Sequence, residues 1–392
     1  MKRGQLPLLL AGSLACARGP SPAPTPRCDA GRCDWSGLTS LVDSAVTAEA
    51  APGAVVGISV RGGRFIYGTG RTGLDDPTVP GPRTVYDLAS LTKVVALTTG
   101  IMLAVDEGRL VLDTPVRLWV PEFAGAGKDQ VTLRHLLTHT SGLPPFRRLW
   151  LETATAAEAR DTILATQLDT VPGTRTSYSD LGAILLTWVL EGSYGTSIDT
   201  LLEQRVFGPL GMHSTRYQPP ATWSRGIAPT EDDPWRGHIL RGEVHDENAA
   251  WLGGVSGHAG LFSTAEDLLT FGEWLLSGLT PTGTNGGDHR WPVPAPNALP
   301  SFVVPQHLVT GSSRALGWDT PSEGSSAGTR LGPRSFGHTG YTGTSIWIDP
   351  DRALVVVLLT NRVHPTRDNP RLTPLRPVVA DRVAEIVDRP AR

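Results

Sequence analysis

Ser90 and Lys93 are the residues from which chemistry is most directly built. In Ser90-Leu-Thr-Lys93 they stand three apart, and on a helix that spacing sets two side chains on one face, about one turn from each other. A serine hydroxyl is a weak nucleophile until a neighbouring base takes its proton, and a desolvated neutral lysine is such a base. Arginine cannot replace it, because it keeps its proton. Of 35 basic residues only Lys2, Lys93 and Lys128 are lysine, so each invites a reason. Lys128, in Gly-Ala-Gly-Lys-Asp, reads as a solvated surface charge. Lys93 is followed by Val-Val-Ala-Leu, an apolar run in which an unpaired charge is expensive. A structural ion pair would account for Lys93 as well as a catalytic role, and composition does not separate the two. Ser90 would open its helix, where free N–H groups and the dipole favour a developing anion.

Two further clusters are spaced to complete such a site. Tyr178-Ser179-Asp180 follows the turn Pro172-Gly173 and opens another helix. A phenol held near Lys93 would shuttle protons between nucleophile and leaving group. His338-Thr339-Gly340 falls at a strand end, where the small Gly340 lets a substrate backbone approach closely. The N–H of Tyr341 would join that of Ser90 as an oxyanion hole.

The elements that must position these residues are legible as patterns. Residues 38–48 have helical spacing, and 54–60 and 64–67 around Gly62-Gly63 read as a β-hairpin. A helix over 90–107, apolar almost all round, stops at Gly108 as a buried central helix would. Further helices are expected over 132–140, 179–191 and 265–277, the last opened by a capping box of Ser263 and Glu266. Residues 280–300 are rich in Pro, Gly, Thr and Asn and read as a surface insertion. Strands return over 315–319, 335–339, 344–349 and 353–360, followed by a helix over 378–387. Strands at both ends with helices between them predict an α/β (α+β) fold. Its antiparallel sheet is formed from both chain ends and flanked by helices, with an inserted all-helical region over about 87–300.

In this order, Ser-x-x-Lys, Tyr-x-Asp in place of Tyr-x-Asn, and His-Thr-Gly resemble the class C β-lactamase and DD-peptidase superfamily of serine hydrolases. The resemblance covers nearly everything from Trp35 to Val387. It is supported by His135-Leu-Leu-Thr-His-Thr-Ser-Gly-Leu-Pro144, Phe207-Gly-Pro-Leu-Gly-Met212 and Gly337-His-Thr-Gly-Tyr-Thr-Gly-Thr-Ser345. The stretch from Gly242 to Phe262 is similar to a penicillin-binding-protein-like branch. The resemblance implies a β-lactamase/transpeptidase-like fold over 35–392. Ser90 is then the acylated nucleophile, Lys93 and Tyr178 the general bases, and Asp180, His338, Thr339, Gly340 and Tyr341 the substrate-binding set. It implies no cofactor and no metal. Two departures bear on substrate. Asp180 stands where the family has an amide that donates to the substrate carbonyl; an ionised Asp180 only accepts, so it is left to bind Lys93 or a substrate N–H. His338 stands where the lactamases have lysine and offers a substrate carboxylate less fixed positive charge. A cell-wall peptide hydrolase of the DD-carboxypeptidase kind is the first expectation, an esterase the second, a β-lactamase the third. A non-catalytic penicillin sensor is the expectation of another class.

Composition narrows the setting. With 392 residues, 40% hydrophobic and 19% charged, the chain can bury a large core, and its net charge of −3 advertises no nucleic-acid partner. Lys2 and Arg3, an apolar stretch over 6–14 and Ala15-Cys16-Ala17 read as an export signal over 1–17. Two processing routes are open: cleavage after Ala17, or lipidation of Cys16 as a membrane anchor. Three cysteines are an odd number, and Cys28 and Cys33 can pair with each other. Residues 18–34 read as a Pro-rich linker. The expected location is the periplasm, membrane-anchored or free, or the medium, and the expected partner is a small molecule or peptide, peptidoglycan included. No later segment approaches the roughly 20 apolar residues of a membrane span. His245, Asp246, Glu247 and His258 are the most metal-like group, but their Gly-rich setting reads as a rigid loop lining a cleft. His135 and His139 lack the Glu of a zinc helix and read as packing and cap residues. Gly324-Ser-Ser326-Ala-Gly328 matches a nucleophile elbow by letter but has no apolar strand before it. Arg362 and His364 read as surface or packing residues.

Overall fold

The structure, a computed structural model, describes residues 28, 30–279 and 291–389. The export signal and Cys16 lie outside the described residues, as does most of the 280–300 insertion. The first helix, α1 (Ser36–Thr47), leads into the hairpin β1 (Gly53–Val60) and β2 (Gly63–Gly70). Val60 pairs with Gly63, so the turn is Arg61-Gly62, one residue earlier than the glycine pair suggests. Both turn residues have positive φ (51° and 81°), the twist that tight hairpins require.

The remaining strands of this sheet come from the far end of the chain: β3 (Phe336–Gly340), β4 (Thr344–Asp349) and β5 (Leu354–Thr360). The sheet runs β2-β1-β5-β4-β3, antiparallel throughout, with β5 seated beside β1. This is the sheet from both chain ends. The insert read as all-helical carries short strands of its own: Tyr86–Asp87, Arg216–Tyr217 and Leu261–Ser263 in one small sheet, and Asp232–Asp233 with His238–Ile239 in another. Strands β1 and β5 are buried along their whole length, which is why they read as continuous apolar runs and not as alternation. One face is covered by α1 and the closing helix, with Leu38, Val42, Val379 and Val383 in a core with Val56 and Val356. The other face packs Val55, Val357 and Leu359 against Leu268, Leu269 and Phe271. Each such side chain contributes about 1.5–3 kcal/mol by burial. Residues 315–319 form no strand: Asp319 makes a single bridge to Gly337, and the run turns so that Trp318 packs edge-on to Phe336.

The helical region carries the rest of the core. From Ala89 to Asp106 the chain is one helical run: a tight turn over Ala89–Leu91, a wide-wound segment Lys93–Thr98, and the regular α2 (Thr99–Asp106). Thr99 Oγ1 donates to the Val94 carbonyl at 3.0 Å and so satisfies a backbone group of the wide turn. By length and apolar composition this run reaches what a membrane span needs, contrary to the sequence expectation, but 83% of it is buried within the protein. It ends before Gly108, at φ 69°. Next come α3 (Asp180–Tyr194), capped by Ser179, and α4 (Ala265–Leu279). The cap of α4 is Thr264, which accepts the Asp267 N–H at 3.2 Å; Ser263 is instead bonded to Thr215. The closing helix is α5 (Leu375–Asp388).

Two surface readings are corrected. Cys28 and Cys33 form a disulfide, and Cys28 and Ala30 are buried with the Trp35 indole N–H donating to Ala30 O at 2.8 Å. The folded body therefore begins inside the segment read as linker. Lys128 is buried rather than solvated. Its ammonium donates to Leu164 O near the end of the helix Ala156–Ala165 and lies 5.3 Å from the Phe123 ring centre. A cation at a helix C-terminus is favoured by the dipole, and the apolar stem packs on the ring.

Candidate active site

Ser90 is held from both sides of the molecule. The residue before it, Ala89, has φ +46°, a conformation that costs a residue with a side chain on the order of 1–2 kcal/mol. Asp87 retains it: buried Oδ1 accepts the Ala89 N–H at 2.8 Å, and Oδ2 accepts the His245 N–H at 2.7 Å. The turn after β3 clamps the same segment, since Thr342 Oγ1 donates to Asp87 O (2.7 Å) and Thr344 Oγ1 to Leu88 O (3.0 Å). Gly340 lies so close to this loop that a Cβ there would meet Leu88 O at 2.3 Å. The nucleophile candidate and the strand His338–Gly340 thus share one scaffold, although 248 residues separate Ser90 from His338 in sequence.

Lys93 is buried, and its Nζ has three acceptors around it. It donates to Ser90 Oγ at 3.1 Å and to the His258 carbonyl at 2.9 Å, and it makes an ion contact with Asp180 Oδ1 at 2.7 Å. Burial is the largest single influence and pulls its pKa down, but the charges and hydrogen bonding of Asp180 and Tyr178 together outweigh it, and the net shift is upward. The expectation of a neutral lysine is therefore not met in the resting protein: a carboxylate on α3 holds Lys93 as an ammonium. Tyr178 lies with its ring centre 5.0 Å from Lys93 Nζ. Burial raises its pKa, against the pull of the Lys93 charge, so the phenol keeps its proton at neutral pH. Its hydroxyl is buried without an aligned hydrogen-bond partner.

His139, read from sequence as a packing residue, turns out to seat Tyr178. Its ring packs at 4.5 Å between centres, and its Nδ1 accepts the Ser179 N–H at 3.1 Å. That fixes the turn from which Tyr178 projects. His135 is a cap residue as expected, exchanging bonds with Thr132.

His338 is buried, with its ring centre 5.9 Å from that of Tyr178. Burial, helped by the Arg314 and Lys93 charges, lowers its pKa to about 4, so it is neutral at pH 7. Its Nδ1 bonds the Thr339 carbonyl at 2.8 Å, while Nε2 is buried without a partner. Thr339 is partly exposed, and Tyr341, half exposed, lies just past the end of β3. Tyr341 stacks on His245 (5.8 Å), and Arg362 lies over its other neighbourhood at 4.6 Å while donating to its carbonyl. Arg362 therefore belongs to the wall beside Tyr341.

The metal-like group is divided between two networks. His258 Nε2 meets Asp246 Oδ1 at 2.9 Å and its Nδ1 meets Ser256 Oγ at 2.7 Å, which locks the loop that presents the His258 carbonyl to Lys93. His245 instead bonds Glu231 at 3.0 Å, and Arg367 joins Glu231 to Glu247. Burial pushes the Glu231 carboxyl up, but hydrogen bonds from His245 and Arg367 outweigh it and hold the group at about 2. A carboxyl depressed on folding contributes stability above its unfolded value near 4.5, and that contribution is lost as pH falls toward about 2. Melting temperature should accordingly fall more steeply between pH 5 and 3 in the wild type than in Glu231→Gln. Parallel curves would remove Glu231 from the account of acid stability.

A row of aromatic rings was not legible in sequence. Phe146, Trp150, Trp235 and Trp251 follow one another at 5.8, 6.3 and 6.3 Å between centres, with Phe146 41% and Trp235 38% exposed. The row starts next to Pro145, whose carbonyl accepts the Asp180 N–H at 3.0 Å. Its members come from three segments: Asn248 ties that of Phe146 and Trp150 to the helix of Trp251 through Leu149 N and Arg147 O, and Arg236, next to Trp235, donates to Val244 O and His245 O.

A serine beside a buried lysine and tyrosine, clamped under the edge strand of an antiparallel sheet with a helical insert, defines the class: a serine hydrolase of the β-lactamase and penicillin-binding-protein fold. The Beta-lactamase family model matches residues 38–381, and the chain belongs to that family. It is 29% identical over 331 residues to a provisionally named D-alanyl-D-alanine carboxypeptidase of Escherichia coli strain K12, covering 77% of this chain and 74% of that one. A protein of the same name from Salmonella enteritidis PT4 is 29% identical over 338 residues, 78% and 76% of the two chains. Among solved structures, a β-lactamase from Sulfitobacter sp. EE-36 aligns with TM-score 0.69 and 23% identity over 90% of this chain and 99% of that one. A β-lactamase/D-alanine carboxypeptidase from Yersinia pestis, complexed with citrate, aligns with TM-score 0.66 and 20% identity over 90% and 99%. These two likenesses show the fold.

Proposed function

We propose that this β-lactamase-family hydrolase works through an acyl-enzyme on Ser90 and acts outside the cytoplasm on a cell-wall peptide, in the manner of a DD-carboxypeptidase. The observation that carries the reading is the meeting of Ser90, Lys93 and Tyr178 beneath the strand His338–Gly340. Ser90 Oγ attacks the substrate carbonyl carbon and loses its proton toward Lys93, and the D-alanine amine leaves with a proton returned through Lys93 and Tyr178. Water then releases the acyl group by the reverse transfers. The curated relatives support the carboxypeptidase direction by name. The export reading of the first residues supports the location, with Cys16 as a candidate lipid anchor.

An esterase is the second reading, and the aromatic row that starts next to Pro145 favours it, because such a surface suits an apolar acyl group. β-Lactam hydrolysis is the third reading; the neutral His338 offers no charge to the carboxylate that a penicillin and a D-alanyl-D-alanine peptide both carry, so it does not separate those two. The purified protein should be given a peptide ending in D-alanyl-D-alanine, a p-nitrophenyl ester and a penicillin, with the adduct located by mass spectrometry. We expect D-alanine release at a kcat/KM at least about a hundredfold above penicillin hydrolysis, a step of about 2.7 kcal/mol. Ester cleavage without D-alanine release would move the assignment to an esterase. An acyl group found on any residue other than Ser90 would end both readings.

A further inference from the structure

The resting site holds no free base where a neutral Lys93 was expected. The Lys93 ammonium donates to Ser90 Oγ and to the His258 carbonyl, and Asp180 Oδ1 lies 2.7 Å away as an ion contact without an aligned hydrogen bond. The other groups around it are also engaged. Tyr178 carries its proton, and Asp246 is bound by His258 and by the Ala249 N–H. His139 uses Nδ1 to accept the Ser179 N–H. His338 is a weak base, with Arg314 and Lys93 both opposing a charge on it. Among the described residues, the carboxyl group in contact with Lys93 is that of Asp180, whose side chain is 18% exposed against 4% for Lys93.

We propose that Asp180 is the proton acceptor behind Lys93, so that acylation runs through a Ser90–Lys93–Asp180 relay. The inference rests on Ser90 being the nucleophile. As the Ser90 Oγ–carbon bond forms, the Ser90 O–H bond breaks and its proton passes to Lys93 Nζ. An ammonium has no lone pair, so the step requires the N–H that rests on Ser90 Oγ to turn to Asp180 and pass its proton to an Asp180 oxygen, and the electron pair it leaves takes the Ser90 proton. Lys93 ends as it began, an ammonium with three protons, Asp180 becomes a neutral carboxyl, and the negative charge moves to the carbonyl oxygen of the tetrahedral adduct. Collapse of the adduct reverses the transfers: the C–N or C–O bond breaks, and the proton held on Asp180 returns through Lys93 to the leaving atom. No oxidant or second reactant is needed. Asp180 acts through Lys93 and does not touch the substrate's reacting atoms, so it is a positioning residue that also stores a proton.

The site gives Asp180 a fixed place for this work. It is the first residue of α3, its N–H bonded to Pro145 O and its negative charge favoured by the helix N-terminus. The Asp180→Asn variant keeps the shape and removes the acceptor. Lys93 must then be neutral to take the Ser90 proton, and with the Asp180 charge gone burial meets less opposition and its pKa falls.

The test measures p-nitrophenyl acetate hydrolysis and labelling by a fluorescent penicillin over pH 5–10, for wild type, Asp180→Asn and Ser90→Ala. Near pH 6 we expect Asp180→Asn to acylate at least about a hundredfold more slowly than wild type, with a rate that climbs with pH toward the wild-type value. A proton inventory in mixed light and heavy water should be curved for wild-type acylation, reporting two protons in flight, and linear for Asp180→Asn. An unchanged pH profile in Asp180→Asn overturns the relay, as does a linear inventory in the wild type, which needs no variant to fold. Loss of labelling in Ser90→Ala with either of those results leaves Ser90 in place and removes only Asp180. Labelling that survives Ser90→Ala removes the nucleophile assignment itself.

Discussion

Ser90→Ala should abolish covalent labelling by penicillin and lower hydrolysis of any acyl substrate by roughly four to six orders of magnitude. The size follows from the loss of the attacking atom: the strand, the helix N-terminus and the aromatic row would still bind substrate, but only water would remain to attack. Stability should hardly change, because Ser90 is partly exposed and Lys93 keeps two of its acceptors, His258 O and Asp180. A melting temperature within a few degrees of wild type is the expected companion result. Retention of both activity and labelling in a folded Ser90→Ala protein would mean that another group is acylated.

Gly340→Ala carries the second largest expectation, and it acts on geometry. A Cβ at Gly340 would lie 2.1 Å from Thr344 Oγ1 and 2.3 Å from Leu88 O, far inside contact distance. Leu88 O is backbone, and Thr344 Oγ1 is already bonded to it, so neither can step aside alone. The loop that carries Ser90 must then move away from β3, or β3 must bend outward. Overpacking of this kind costs about 1–3 kcal/mol of stability. A shift of about 1 Å between nucleophile and substrate strand costs on the order of a hundredfold in rate. We therefore expect kcat/KM to fall about a hundredfold or more, with a melting temperature lower by several degrees. Full activity in Gly340→Ala would show that the substrate is not aligned along β3.

Much of the fold could be read in advance because its cues are local. The apolar runs of β1 and β5, the capping Ser179 of α3 and the stop at Gly108 are each decided by a few neighbouring residues. Where a cue was shared between neighbours the reading slipped by one position, as with Thr264 in place of Ser263 at the start of α4. Residues 315–319 carried strand-forming chemistry but had only one bridge to make, at Asp319 with Gly337, so no strand formed. Lys128 misled for a different reason. Its loop is polar, and nothing in it announces that Phe123 and the end of the helix Ala156–Ala165 will close over it.

By itself the sequence determined the candidates: Ser90 and Lys93 one turn apart, a tyrosine and an acid at the head of α3, and a small-residue strand end at Gly340. Spacing along one element is enough for that, because a helix or strand converts it directly into direction. Only the tertiary structure decided the charge on Lys93. That charge is set against burial by Asp180 and Tyr178, 87 and 85 residues away in sequence. A pKa depends on distances between groups and on their burial, and those distances exist only once the helices have packed. The same holds for His139 under Tyr178 and for the aromatic row from Phe146 to Trp251, whose members come from three segments tied together by Asn248 and Arg236.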